Sequence, residues 1–234
     1  MLEMKIEDLG RTNYNDTWEI QKEMFLKRQL GEIDDTLLLT EHTPTITFGA
    51  TEKYNVIHVP IDSLKEKGIE FFRSRRGGGA AYLGPGQLIG YTIMDIKPYG
   101  GVRNFLIMLE EVMIRTAGDF GIEVKRYDVM NPTTEKPYRA TWYRNNGMVY
   151  VLCTKGIGLQ IKNGGSYTHH GFALNVNSGE DYTKLIDPCG FPSTEIKPIS
   201  MQEILDKKLD IDIVKKSVIK NFMELFENGT IKHR

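Results

Sequence analysis

Two parts of this chain have residue types and spacing that could do chemistry. The first is Arg76-Gly77-Gly78-Gly79-Ala80-Ala81-Tyr82-Leu83-Gly84-Pro85-Gly86-Gln87-Leu88. A run so rich in glycine lets backbone approach a ligand without a Cβ in the way. It is not a phosphate loop: no Gly-Lys-Ser/Thr follows, and no Gly-x-Gly-x-x-Gly opens a helix. The second is Cys189 in Pro188-Cys189-Gly190, a tight turn and a setting for a nucleophile rather than a core thiol. The attacking species is the thiolate, and an unperturbed cysteine has a pKa of about 8.5. An ammonium about 4 Å away is worth up to roughly 4 kcal/mol at an effective dielectric of about 20. At about 1.36 kcal/mol per unit, that lowers the thiol pKa by as much as roughly three units. Lys155, in Thr154-Lys155-Gly156-Ile157-Gly158, is the candidate cation. The plainer readings of these residues are a glycine-rich hairpin, a solvated lysine at a hairpin tip and an inert cysteine.

Other chemistries have less support. Cys153 falls in the strand-like Val149-Tyr150-Val151-Leu152-Cys153, which favours a buried, unreactive thiol. Two cysteines make no disulfide framework. The five histidines (His42, His58, His169, His170 and His233) lack zinc-ligand spacing. On a regular strand His169 and His170 would point to opposite faces. No metal is expected. The net charge of −1 leaves no basic excess for nucleic acid. The run Arg73-Ser74-Arg75-Arg76 is local, suited either to an acidic protein surface or to a solvated strand end. There is no apolar run of membrane-spanning length and no signal-peptide core at the start. A soluble, unexported, cytoplasmic protein without a membrane partner is the expectation.

The elements that must position these residues follow from periodicity. Apolar spacing predicts helices over Asp16–Leu30, closed by Gly31, and over Gly101–Phe120. In the first, Ile20 pairs with Met24, Trp18 with Phe25 and Leu26 with Leu30. Strands are expected at 36–40, 45–48, 69–72, 88–94, 122–127, 147–152, 158–162 and 168–176, which leaves Lys155 at a turn. Ser200-Met201-Gln202-Glu203 reads as a capping box, and a last helix runs over Asp212–Phe226 with Ile213, Val214, Val218, Phe222 and Leu225 apolar. The pattern is α+β, a mixed sheet with flanking helices, rather than regular β-α-β alternation. It is read as one catalytic domain over 1–234, with a small helical extension possible from about 195.

Three ordered blocks carry a resemblance. They are Arg76-Gly77-Gly78…Tyr82-x-Gly84-Pro85-Gly86-Gln87-Leu88, His170-Gly171-Phe172-Ala173-Leu174-Asn175-Val176 and Asp187-Pro188-Cys189-Gly190. Together they resemble the signature blocks of the lipoyl(octanoyl) transferases, and Asp35 to Pro44 is similar to that family's first strand block. The likeness spans about residues 5 to 205. It implies the biotin/lipoyl-ligase fold and an acyltransferase. Octanoate would pass from its thioester on acyl carrier protein to a lysine of a lipoyl domain, through an acyl-cysteine on Cys189. The acceptors it implies are the lipoyl domains of 2-oxoacid dehydrogenases and the glycine cleavage H protein.

The resemblance assigns Cys189 and Lys155 to a catalytic dyad. It assigns substrate binding to Arg76, Gly77, Gly78, Gly79, Ala80, Ala81, Tyr82 and Leu83, to Gly156, Ile157 and Gly158, and to His170, Gly171, Phe172 and Ala173. Backbone N–H groups at turns near Gly156–Gly158 and Gly171 are expected to face the oxyanion. No cofactor, ATP or metal is called for. The family usually has histidine where Leu83 stands and threonine where Ala81 stands. Its lysine lies five residues before the glycine matching Gly158, a place held here by Cys153, with Lys155 three before. The alternatives are an ATP-dependent lipoate or biotin ligase on the same fold and a non-catalytic binder of lipoyl domains or acyl chains.

Overall fold

The computed structural model describes residues 4–74, 76–131, 136–179, 182–188 and 197–227. In chain order the elements are β1 (Lys5–Thr12), α1 (Tyr14–Leu30), β2 (Thr36–His42), β3 (Thr45–Phe48), α2 (Ile61–Glu66), β4 (Glu70–Arg73), β5 (Ala81–Leu83) and β6 (Gln87–Ile93). They continue with α3 (Gly101–Asp119), β7 (Lys125–Asn131), β8 (Lys136–Asn145), β9 (Met148–Lys162), β10 (Gly165–Asn175), β11 (Lys197–Pro198), α4 (Met201–Leu205) and α5 (Ile211–Phe226).

Among the described residues the main sheet runs β1-β2-β6-β10-β9-β8-β7, with β11 beside β9. It is mixed: β1 with β2 and β11 with β9 are parallel, and the other neighbours are antiparallel. A smaller sheet runs β4-β3-β5. Side-chain alternation along a strand sends successive residues to opposite faces. Leu37, Leu39, Leu88 and Leu174 therefore join the core under α3 and α5. Leu38, Ile89, Tyr91 and Ala173 join the core under α1. This is the expected mixed sheet with flanking helices. Among the described residues no helix is long and apolar enough to cross a membrane.

Helix α3 buries the stripe its spacing predicts, with Phe105, Leu109, Val112, Met113 and Ala117 inside. Helix α5 lays Val214, Val218 and Phe222 into that same core, while Ile213 is exposed. The capping box at Ser200 forms, with Ser200 Oγ accepting from Glu203 N at 3.2 Å and Glu203 Oε2 accepting from Ser200 N at 2.8 Å.

Helix α1 differs from its apolar pairing. Leu26 and Leu30 are exposed, and the helix buries Tyr14, Thr17, Gln21, Arg28 and Gln29 instead. Two of these polar side chains find partners in distant elements: Arg28 pairs with Asp35 at 2.7 Å, and Gln21 Oε1 accepts from His170 N at 3.0 Å.

The expected turn around Lys155 is absent, because β9 is one strand from Met148 to Lys162. The hairpin reverses at Asn163 and Gly164, with φ of 49° and 78°. An Asn-Gly pair suits that left-handed reversal, whereas Lys155-Gly156 does not need one. The two histidines also depart from alternation. His170 has φ of 62°, and its ring lies 4.7 Å from that of His169. A left-handed residue rotates its side chain out of the strand's two-residue rhythm, so both rings sit against Trp18.

Candidate functional site

A cleft lies between the main sheet, the N-terminus of α1 and the glycine loop. Its floor follows from strand register. Gly156 of β9 is opposite Gly171 of β10, which is opposite Tyr91 of β6. The next row is Thr154, Ala173 and Ile89. Two facing glycines leave the floor bare beside β9. At Gly171 a Cβ would meet Gly90 O at 2.2 Å, and at Gly156 it would meet Gly77 O at 3.1 Å.

The glycine loop closes over this floor. Gly77 N donates to Ile157 O at 3.1 Å, tying the loop to β9. Arg76 turns inward, and its Nη2 donates to Thr47 O and Thr47 Oγ1 at 2.9 and 2.8 Å. Leu83 contributes to the cleft wall, buried with Ile89 and Ala173.

The structure divides the residues assigned by resemblance. Arg76, Ala81, Leu83, Lys155, Gly156, His170, Gly171, Phe172 and Ala173 line the cleft. Ala80 and Tyr82 are instead buried in the small-sheet core, where Tyr82 stacks on Tyr182 at 5.1 Å. Gly78 O accepts from Thr51 N at 3.2 Å, and Gly79 packs against Tyr54. Gly158 lies beneath the His169 ring. No turn occurs at Gly156–Gly158 or Gly171, since both segments are paired strand.

Cys189 lies outside the described residues. The chain leading to it is anchored: Asp187 N donates to Val56 O at 3.2 Å, and Asp187 Oδ1 meets His58 Nε2 at 2.8 Å.

Lys155 lies on β9 between Thr154 and Gly156, whose side-chain positions face the cleft. Its own side chain runs toward α3, where its ammonium pairs with Glu110. Both groups are nearly closed to water, at 8% and 2% exposure, and Arg126 also meets Glu110, at 3.1 Å. Cys153 is on the same side, buried, and burial pushes its thiol up to about 12 despite the nearby Lys155 charge. That thiol is un-ionised near neutrality.

Sequence reasoning missed Tyr14, Ile89, Tyr91 and Thr154 at the cleft. Strand register places Ile89, Tyr91 and Thr154 there, and the packing of α1 on the sheet places Tyr14. Tyr91 Oη and His42 Nε2 are 2.7 Å apart. His42 Nδ1 lies 3.2 Å from Thr12 O, which fixes the proton on Nδ1 and makes Nε2 the acceptor of the tyrosine hydroxyl. Burial lowers the His42 pKa to about 4, so the ring is neutral. Burial likewise raises Tyr14 and Tyr91 above the usual phenol range and lowers His170.

A mixed sheet with a glycine loop folded over an apolar cleft defines the class, and comparison with known proteins places the chain within it. Residues 13–223 match the model of the lipoyl protein ligase A/B catalytic domain, and the chain belongs to that family. It is 33% identical to the octanoyltransferase of Desulforamulus reducens, over 97% of this chain and 92% of that protein. It is 36% identical to the octanoyltransferase of Alkaliphilus metalliredigens, over 99% of each. Among solved structures, it superposes on a putative lipoate protein ligase from Thermoplasma acidophilum with bound lipoic acid. The TM-score there is 0.65 at 15% identity, covering 96% of this chain and 86% of that one. Lipoate-protein ligase A bound with ATP gives 0.66 at 18% identity, with 96% and 86% covered. At such identities these two establish the shared fold.

Proposed function

We propose that this protein is an octanoyltransferase of protein lipoylation, moving octanoate from acyl carrier protein to a lysine of a lipoyl domain. The observation that carries this is the near full-length match to octanoyltransferases at 33–36% identity. The apolar wall of Leu83, Ile89 and Ala173 suits a hydrocarbon chain.

In the first step the Cys189 thiolate attacks the thioester carbonyl. A new carbon–sulfur bond forms, and the carrier protein's thiolate leaves. In the second, the acceptor lysine amine attacks the acyl-cysteine. The carbon–nitrogen bond forms, the bond to Cys189 breaks, and the amine proton passes through a base to the departing thiolate. Lys155 is assigned to lower the thiol pKa and to handle that proton. Glu110 competes for the same ammonium. Amide formation from a thioester runs downhill, so the transfer itself calls for no ATP. The acceptors are the lipoyl domains of 2-oxoacid dehydrogenases and the glycine cleavage H protein.

Mass spectrometry after incubation with octanoyl carrier protein tests the reading. An octanoyl adduct on Cys189, discharged by a lipoyl domain, is expected. An ATP-dependent octanoyl adenylate with no adduct would identify a ligase, and neither product would leave a binder.

A further inference from the structure

The loop between β3 and α2, residues 49–58, ties the glycine loop to the chain that leads to Cys189. Its first half holds the glycine loop. Ala50 N donates to Arg76 O at 2.9 Å, Thr51 N donates to Gly78 O at 3.2 Å, and Tyr54 O accepts from Ala80 N at 3.0 Å. Its second half holds the approach to Cys189. Ile57 and Ile186 form an antiparallel bridge, His58 N donates to Leu185 O at 2.9 Å, and Asp187 N donates to Val56 O at 3.2 Å. Asn55 joins the halves, because its side chain donates to Gly49 O and accepts from Gly49 N, both at 3.0 Å.

Among the described residues these backbone ties end at Asp187, two residues before Cys189. Pro188 has no N–H with which to continue them. One side-chain contact acts at this point: His58 Nε2 lies 2.8 Å from Asp187 Oδ1. A carboxylate only accepts, so the ring N–H donates. The chain just before the pair is firmly seated, with Ile186 fully buried beside Leu64 and Ile46, and Tyr182 stacked on Tyr82. The pair itself is partly open to water, His58 at 36% and Asp187 at 16%. Such a pair contributes little to stability. What sets it apart is its place at the root of the turn that carries the thiol.

We infer that His58 is a positioning residue for acyl transfer: by holding the Asp187 carboxylate it orients the Pro188-Cys189 turn relative to the glycine loop. His58 acts through Asp187 and exchanges no proton with the substrate. A reacting group held about 1 Å out of place costs about 100-fold in rate. The same slack hardly alters how the substrate binds, so the loss falls on kcat rather than KM. The inference rests on the octanoyltransferase reading, because that reading makes Cys189 the nucleophile.

Single-turnover acylation of Cys189 by octanoyl carrier protein, followed by mass spectrometry, gives a rate constant and an amplitude separately. The amplitude reports how much protein is folded and active; the rate constant reports how well the thiol is placed. His58→Ala should lower the rate constant and kcat by about tenfold or more, with the amplitude kept and KM within about twofold. His58→Gln, whose amide nitrogen can stand near the place of the ring Nε2, should restore most of the rate. Asp187→Ala should match His58→Ala, and the double variant should be no slower than either. Asp187→Ala also decides if His58→Ala melts below the assay temperature. An unchanged rate constant in a folded variant would overturn the inference and leave the transferase reading intact. So would additive losses in the double variant, no recovery with His58→Gln, or a loss confined to amplitude or KM. A wild-type protein that forms no acyl-Cys189 would overturn both.

Discussion

Lys155 of β9, at the edge of the cleft, forms an ion pair with Glu110 of α3. The relationship follows from alternation, since Thr154 and Gly156 face the cleft and the residue between them must face α3. It joins a residue assigned to chemistry by resemblance to a buried carboxylate in the structural core. Replacing Lys155 therefore tests two roles at once.

Lys155→Met should leave Glu110 buried beside Arg126 and without the lysine charge. Removing one partner of a buried pair costs about 3–5 kcal/mol, which denaturant melts will show. If Lys155 also activates Cys189, alkylation of that thiol at neutral pH should slow by roughly one to two orders of magnitude. A stability loss with unchanged Cys189 reactivity would confine Lys155 to the ion pair. Lys155→Arg should recover stability more than transfer, because guanidinium does not give up its proton in this range.

The two cysteines should separate cleanly. Cys189→Ser should fold and lose transfer by several orders of magnitude, since a serine hydroxyl is scarcely ionised near neutrality. In the folded protein Cys153, with its thiol pushed up to about 12, should resist iodoacetamide at pH 8. Peptide mapping of the labelled protein checks both. Fast labelling of Cys153 in the native state would contradict its burial.

His42 predicts a pH dependence of stability. Its pKa is about 4 when folded, against an unperturbed value of about 6.5. Between those values the unfolded chain binds the extra proton, so stability falls as pH drops from about 6.5 toward 4 and is retained above that window. The contribution is up to about 3 kcal/mol, and the lowered His170 acts in the same direction. His42→Gln should flatten the slope of melting temperature against pH. An identical slope in the variant would count against the buried, neutral ring.

Gly171→Ala should be poorly tolerated, because its new methyl would come within 2.2 Å of Gly90 O in the neighbouring strand. Overpacking of this kind costs about 1–3 kcal/mol. Here it would also displace β10 from β6, so melting temperature and octanoyl transfer should fall together. Gly118→Ala, at an open helix position, is the control and should be neutral or slightly stabilising.

The sequence by itself determined the family and the local elements. Three blocks around Arg76, His170 and Cys189 are short and contiguous, so their likeness survives without any knowledge of the fold. The stripe of α3 and the cap at Ser200 are likewise set by residues three or four apart, which a helix brings together on its own. The tertiary structure decided what depends on pairing between distant strands. Asn163-Gly164, rather than Lys155-Gly156, reverses the chain, so Lys155 sits inside a strand and its direction is set by alternation. Tyr14, Ile89 and Tyr91 reach the cleft only because β6 pairs with β10 and α1 crosses both. The polar buried face of α1 has the same origin, because Gln21 and Arg28 can be buried only where His170 N and Asp35 are waiting. A periodicity read along one segment cannot supply those partners.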